Sequence, residues 1–154
     1  MRAKPSVRTR RVTQRYLAHD FQGERTWLPM LRIRLRGASG TWAKTAALVD
    51  SGSTATFVPP ELAEILGLEP GPSSGASGAG GEFPTNLAST TIEIFGGGEI
   101  AARMECEVHV PVDRGRVPFV VLGRDTVFLR YDITFRENAG IVILQKARHL
   151  PRPN

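Results

Sequence analysis

Ala46-Ala47-Leu48-Val49-Asp50-Ser51-Gly52-Ser53-Thr54-Ala55-Thr56-Phe57-Val58 is the stretch that decides the fold. Four apolar residues drive a buried strand straight into an aspartate. A carboxylate in that place is costly unless it is hydrogen-bonded or shares a proton. The glycine and small hydroxyl residues that follow let the backbone turn sharply and offer donors to the carboxylate. By itself Asp50-Ser51-Gly52 is also what an ordinary strand-ending turn looks like, so the flanking chain has to decide.

Working outward, Leu31-Arg32-Ile33-Arg34-Leu35-Arg36 alternates strictly and reads as a strand with one buried face and one arginine face. Gly37 to Gly40 turns it into a second strand, Thr45–Val49, and Thr56–Val58 is a short third strand ended by Pro59-Pro60. Leu62, Ile65 and Leu66 have helical spacing and Gly67 stops that turn. Residues 71–81 hold five glycines and three serines, a composition that packs no core and suits a mobile loop or hairpin tip. Thr90–Phe95 and Ile100–Val112 are strands around the turn Gly96-Gly97-Gly98. Along the second, Met104, Cys106, Val108 and Val110 share one face, and Glu105, Glu107 and His109 share the other. Val117–Leu122 reads as a central buried strand, and Arg124–Tyr131 as a short helix capped by Asp125. Asp132–Phe135 and Gly140–Leu144 form a hairpin over residues 137–140. Many short strands and one or two short helices predict an all-β domain, a small closed barrel or sandwich.

A chain of 154 residues, 41% hydrophobic and 23% charged, suits one compact domain and excludes a bilobal enzyme with two full-sized halves. Uninterrupted apolar runs stop at about four residues, against roughly 20 for a membrane span. The basic N-terminus lacks the apolar core of a secretory signal, and a single cysteine, Cys106, makes no intrachain disulfide, so a cytoplasmic location is expected. The net charge of +5 is uneven: residues 1–15 carry six basic side chains and no acid, while residues 16–145 carry eleven basic and fifteen acidic ones. The expected organisation is a basic extension over 1–22, one domain over 23–145, and a basic tail over 146–154. Aromatics make up 7% of the chain, and no basic patch interleaved with them is visible in the body, which argues against nucleic acid as the main partner.

Other chemistries fail on spacing. His19, His109 and His149 do not combine with Cys106 into a metal site, and His109 with Glu105 and Glu107 reads as a solvated strand face. There is no Gly-x-Ser-x-Gly nucleophile elbow. The run Gly75 to Gly81 has no preceding strand, no Lys-Ser/Thr ending and no following helix, so it is not a phosphate loop.

The segment 46–58 resembles the active-site motif of aspartic proteases, two apolar residues followed by Asp-Thr/Ser-Gly-Ala/Ser, in the small single-domain, retropepsin-like kind. Phe119-Val120-Val121-Leu122-Gly123-Arg124-Asp125 is similar to that family's second signature, an apolar strand ending in Gly-Arg-Asn/Asp. Between them, Gly78-Ala79-Gly80-Gly81 followed by Thr90–Phe95 resembles the flap hairpin, and Tyr131–Phe135 resembles the strand after the C-terminal helix. The landmarks stand in the family's order over residues 31–144. In place of the acidic residues that viral members often carry after the catalytic turn, this chain has Thr54 and Ala55, which leaves Arg124 without the usual ionic partner.

The resemblance implies an all-β closed barrel with a flap hairpin, and an aspartic endopeptidase that hydrolyses extended polypeptides. Asp50 would be the catalytic residue, with one copy from each chain of a homodimer, because no second Asp-Ser/Thr-Gly exists here. Ser51 would bond across the two-fold axis, and Gly52 would admit substrate backbone. Ser53 is expected to donate to the Asp50 carboxylate. Gly78, Ala79, Gly80 and Gly81 would form the flap tip, and no metal or organic cofactor is called for. The rival reading is a catalytically silent dimerisation or peptide-binding module on the same fold.

Overall fold

The computed structural model describes residues 11–78 and 81–148. Three strands precede the first one expected: β1 (Val12–Arg15), β2 (Leu17–Phe21) and β3 (Glu24–Leu28). They are followed by β4 (Met30–Arg36), β5 (Trp42–Val49) and a one-and-a-half-turn helix α1 (Pro60–Ile65). Next come β6 (Ser73–Gly78), the long β7 (Gly81–Gly96), β8 (Glu99–Pro111) and β9 (Val120–Leu122). A 3₁₀ turn, Val127–Leu129, leads into β10 (Tyr131–Arg136), and a second, Glu137–Ala139, joins it to β11 (Ile141–Lys146).

The strands pair as three sheets. One has the order β6-β7-β4-β5-β9 with β8 added on β7, another the order β1-β11-β10, and β2 with β3 forms a separate hairpin. The all-β class and the short helical pieces are as expected, but among the described residues the ladders do not close on themselves into a barrel. Alternation explains the layering. Leu31, Ile33 and Leu35 of β4 are buried, as are Ala47 and Val49 of β5, Ile92 and Ile94 of β7, and Val142 and Leu144 of β11. All belong to one apolar core, which Val127 of the 3₁₀ turn also enters.

That core reaches further towards the N-terminus than a domain starting at residue 23 would allow. Val12 and Tyr16 are buried in it, and β1 pairs antiparallel with β11 from Val12↔Leu144 to Arg15↔Ile141. The Tyr16 hydroxyl donates to Glu137 at 2.8 Å, and burial pushes its pKa up to about 12. Two other elements are shorter than expected. The central strand covers only Val120–Leu122, and the region 124–131 contains one 3₁₀ turn with no side-chain cap. Asp125 is not a cap: its carboxylate accepts from Thr56.

The outer face of the large sheet buries one charge completely. Glu93 of β7 lies opposite Arg34 of β4 and Arg103 of β8, and both arginines pair with its carboxylate. Glu93 is fully buried, whereas the side chains of Arg34 and Arg103 keep 24% and 38% of their exposure. Removing both arginines would strand a carboxylate in the sheet. Arg34→Met with Arg103→Met is therefore expected to cost about 3–5 kcal/mol in urea unfolding, and adding Glu93→Met to recover most of it. A triple variant no more stable than the double would refute the pairing as the cause.

Candidate active site

Asp50 follows the last residue of β5 and is held there by β9, which runs parallel beside it, Ala47↔Val120 to Val49↔Leu122, with the Asp50 N–H donating to the Leu122 carbonyl at 3.1 Å. After the turn the chain returns along the other side of β9. The N–H and carbonyl of Phe57 exchange hydrogen bonds with Val121 at 2.9 and 3.0 Å. Strand β9 thus threads between the two arms of the 46–58 segment. The expected strand 56–58 exists as bridges from Phe57 to Val121 and to His109.

The turn itself is built from backbone. The Gly52 N–H donates to the Asp50 carboxylate at 2.8 Å, and the Ser53 N–H donates to the Asp50 carbonyl at 3.2 Å. A side chain at Gly52 would place its first carbon 3.1 Å from Asp50 Oδ1, pressing on the carboxylate. The Ser53 hydroxyl does not reach Asp50. It donates to the Ala55 carbonyl at 2.7 Å, so its role is to hold the turn, and the donor to the carboxylate is a backbone amide. Ser51 and Gly52 are exposed, Asp50 half so.

Beneath the turn lies the Gly123-Arg124-Asp125 segment. The Arg124 N–H donates to the Ser53 carbonyl at 2.8 Å, while its side chain is exposed. Gly123 is required by sterics: a Cβ there would lie 2.1 Å from the Ala55 carbonyl oxygen. Thr56, fully buried, ties the pieces together. Its hydroxyl accepts from the Gly123 N–H at 3.1 Å and donates to Asp125 at 2.9 Å. Its hydroxyl also lies 2.8 Å from the hydroxyl of Thr126, which in turn stands 3.3 Å from the Gly123 carbonyl. The sequence signal for Thr56 was present as a hydroxyl among apolar neighbours, but nothing marked its partners.

A cleft of about 630 Å³ opens over this floor. Asp50, Gly52, Ser53, Phe57 and Val121 line it from the body. Ser77, Gly78 and Phe83 line it from the β6–β7 hairpin, which pairs from Ser73↔Asn86 to Gly78↔Gly81. The glycine-rich stretch is therefore a hairpin, as expected. Gly78 and Gly81 flank its tip, while Ala79 and Gly80 lie outside the described residues. Gly115, Arg116 and Val117 form a side wall, where Arg116 lies over the Phe83 ring at 4.7 Å. A larger cavity, about 810 Å³, lies elsewhere, between the turn after β4 and the Glu105–Glu107 stretch of β8, and does not include Asp50.

The remaining candidates are engaged structurally. His109 pairs through Nδ1 with the Thr85 hydroxyl at 2.9 Å and packs on the Phe57 ring. Among the described residues no His, Cys, Asp and Glu side chains cluster as a metal site, and no helix is long and apolar enough to cross a membrane. Burial pushes the Cys106 thiol up to about 11, so at neutral pH it is a protonated thiol and a poor nucleophile.

Residues 31–126 match the family model described as aspartyl protease, and the chain belongs to that family. A search of curated proteins gives no significant match. Among solved structures the chain is similar to the EIAV protease complexed with the inhibitor HBY-793, with 19% identity and a TM-score of 0.49, covering 66% of this chain and 86% of that one. It is also similar to a retropepsin-like aspartic protease from Rickettsia conorii, with 15% identity and a TM-score of 0.46, covering 73% and 86%. A third is the retroviral protease-like domain of Ddi1 from Leishmania major, with 14% identity and a TM-score of 0.45, covering 79% and 96%. The all-β class is the one expected from the sequence.

Two measurements follow from this geometry. Thr56→Val keeps the side-chain shape but leaves the Gly123 N–H and Asp125 without their partner. It is expected to lower stability by about 1–3 kcal/mol in urea unfolding. Cys106 is expected to react slowly with a thiol reagent at neutral pH, with the rate climbing as pH rises toward 11. A half-maximal rate near the ordinary thiol pKa would show that burial does not govern it.

Proposed function

We propose that the protein is an aspartic endopeptidase whose catalytic pair is Asp50 from each of two chains. The observation that carries this reading is the position of Asp50. It stands just past the end of β5, whose Ala47 and Val49 are buried in the core, is oriented by a backbone N–H, and lines a cleft roofed by a hairpin. One chain supplies one such carboxylate, and hydrolysis by this route needs two, about 3 Å apart and sharing one proton around a water. The ionised member takes a proton from the water as it attacks the scissile carbonyl carbon. The protonated member donates to the carbonyl oxygen, and the leaving amine is protonated as the tetrahedral species collapses. No metal or organic cofactor enters these steps.

Ser51, exposed beside Asp50, would meet its counterpart across the two-fold axis and keep both turns in register. The hairpin tip around Gly78 and Gly81 would close over an extended polypeptide, bonding it as an added strand. Phe57, Phe83, Val117 and Val121 give the cleft an apolar lining, which suits apolar side chains next to the cleaved bond.

Asp50→Ala is expected to abolish cleavage of an unfolded protein substrate while leaving the circular dichroism spectrum unchanged. Wild type mixed with a ninefold excess of Asp50→Ala should keep about a tenth of its activity, because random pairing puts most active chains in dead heterodimers. Cleavage that survives Asp50→Ala refutes the catalytic assignment, and undiminished activity in the mixture refutes the shared dyad. No cleavage by either protein over a range of pH would favour a silent peptide-binding module.

A further inference from the structure

The β2–β3 hairpin is bonded to no other strand among the described residues. A two-stranded hairpin alone is marginal in water, so its exposed surface calls for an explanation. Its register pairs Leu17 with Leu28, His19 with Thr26 and Phe21 with Glu24 on one face, and Ala18 with Trp27 and Asp20 with Arg25 on the other. At the base the first face rests on the body: Leu17 and Leu28 are half-buried, and His19 sits edge-on to Phe119 with ring centroids 5.1 Å apart. At Phe21 that support has ended, and the ring is 58% exposed. Trp27, on the opposite face, is 61% exposed.

The root of the hairpin is next to the site. Leu28 leads into Pro29, whose carbonyl accepts from the N–H of Val49, the residue before Asp50, at 3.0 Å. We infer that this hairpin is an arm that grips a second copy of the chain beside Asp50, an inference that rests on the two-chain dyad proposed above. Bringing two Asp50 carboxylates together requires the second copy to arrive at this edge. A specific interface takes about 800 Å² and 20–30 residues from each partner. The turn at Asp50-Ser51-Gly52 is far too small, and the hairpin adjoins it with two exposed aromatic rings of the type that anchors interfaces. The charges suit a copy of the same face. Asp20 and Arg25 form an exposed pair at 3.1 Å on the Trp27 side, so the face is neutral in sum. Across a two-fold axis the acid of one arm can meet the base of the other.

The test is sedimentation equilibrium of the full chain over a dilution series, comparing wild type, Phe21→Glu with Trp27→Glu, and Phe135→Glu on the outer strand β10. The arm predicts that the double variant raises the dimer dissociation constant by about a hundredfold or more, whereas Phe135→Glu changes it little. In a Trp42→Phe background, emission from Trp27 should shift to the blue as the chain dimerises, a readout that needs no charged substitution at the arm. An unchanged dissociation constant in the double variant, or Trp27 emission that stays at the solvent-exposed position in the dimer, overturns the arm. So does loss of dimer in Phe135→Glu alone. In all three cases the dyad stands if Asp50→Ala still poisons wild type. A chain that cleaves as a monomer at every concentration overturns arm and dyad together.

Discussion

The approach of Gly123 to the backbone of Ala55 is the contact on which the rest of the structure depends. Only a residue without a side chain permits it, since a Cβ would overlap the carbonyl oxygen. That approach lets the Arg124 amide reach the Ser53 carbonyl and puts the Gly123 amide on the Thr56 hydroxyl. The Asp50 turn is thus held from below by main-chain bonds, none of which competes with the carboxylate for donors. Its geometry is set by β9, a strand of three residues that carries pairing on both sides.

The long strand β7 connects the two levels of the molecule. Its outer half belongs to the hairpin over the cleft, and its inner half packs Ile92 and Ile94 into the core beside β4. A single element therefore couples the roof of the site to the body. The residues of β6, Ser73 to Gly78, are all small, so that arm of the roof can offer backbone groups but little side-chain surface. The larger apolar side chains around the cleft are Phe83 on the hairpin and Phe57 and Val117 on the body.

Strong periodicity and rare local chemistry were legible in the sequence. The alternation of Leu31 to Arg36 and the apolar run into Asp50 form strands β4 and β5 where they were expected. What was hidden depends on partners distant in the chain. Val12–Arg15 is four residues long with only Val12 fully buried, and it becomes a strand because β11 lies beside it. Ser53 and Thr56 are both small hydroxyl residues near Asp50, and the sequence does not say which hydroxyl points where. Ser53 turns back on its own loop, while Thr56 bonds to residues about 70 positions away. Asp125 shows the same limit: a residue suited to cap a helix is drawn instead to a nearer donor.

The buried Glu93 also acts as a register lock. Strands β7 and β8 are 16 and 13 residues long, with alternating faces that a slip of two residues would preserve. In the native ladder Glu93 faces Arg103. Slipped by two in either direction, it would face Ala101, which leaves Arg34 as its single partner, or Glu105, which sets two carboxylates together. Each alternative takes one of its two arginines from a fully buried carboxylate and so weakens the slipped pairing. The apolar side chains of this hairpin would tolerate the wrong alignment; the ion triad does not, and so it proofreads the pairing that sets the hairpin over Asp50 at its proper reach.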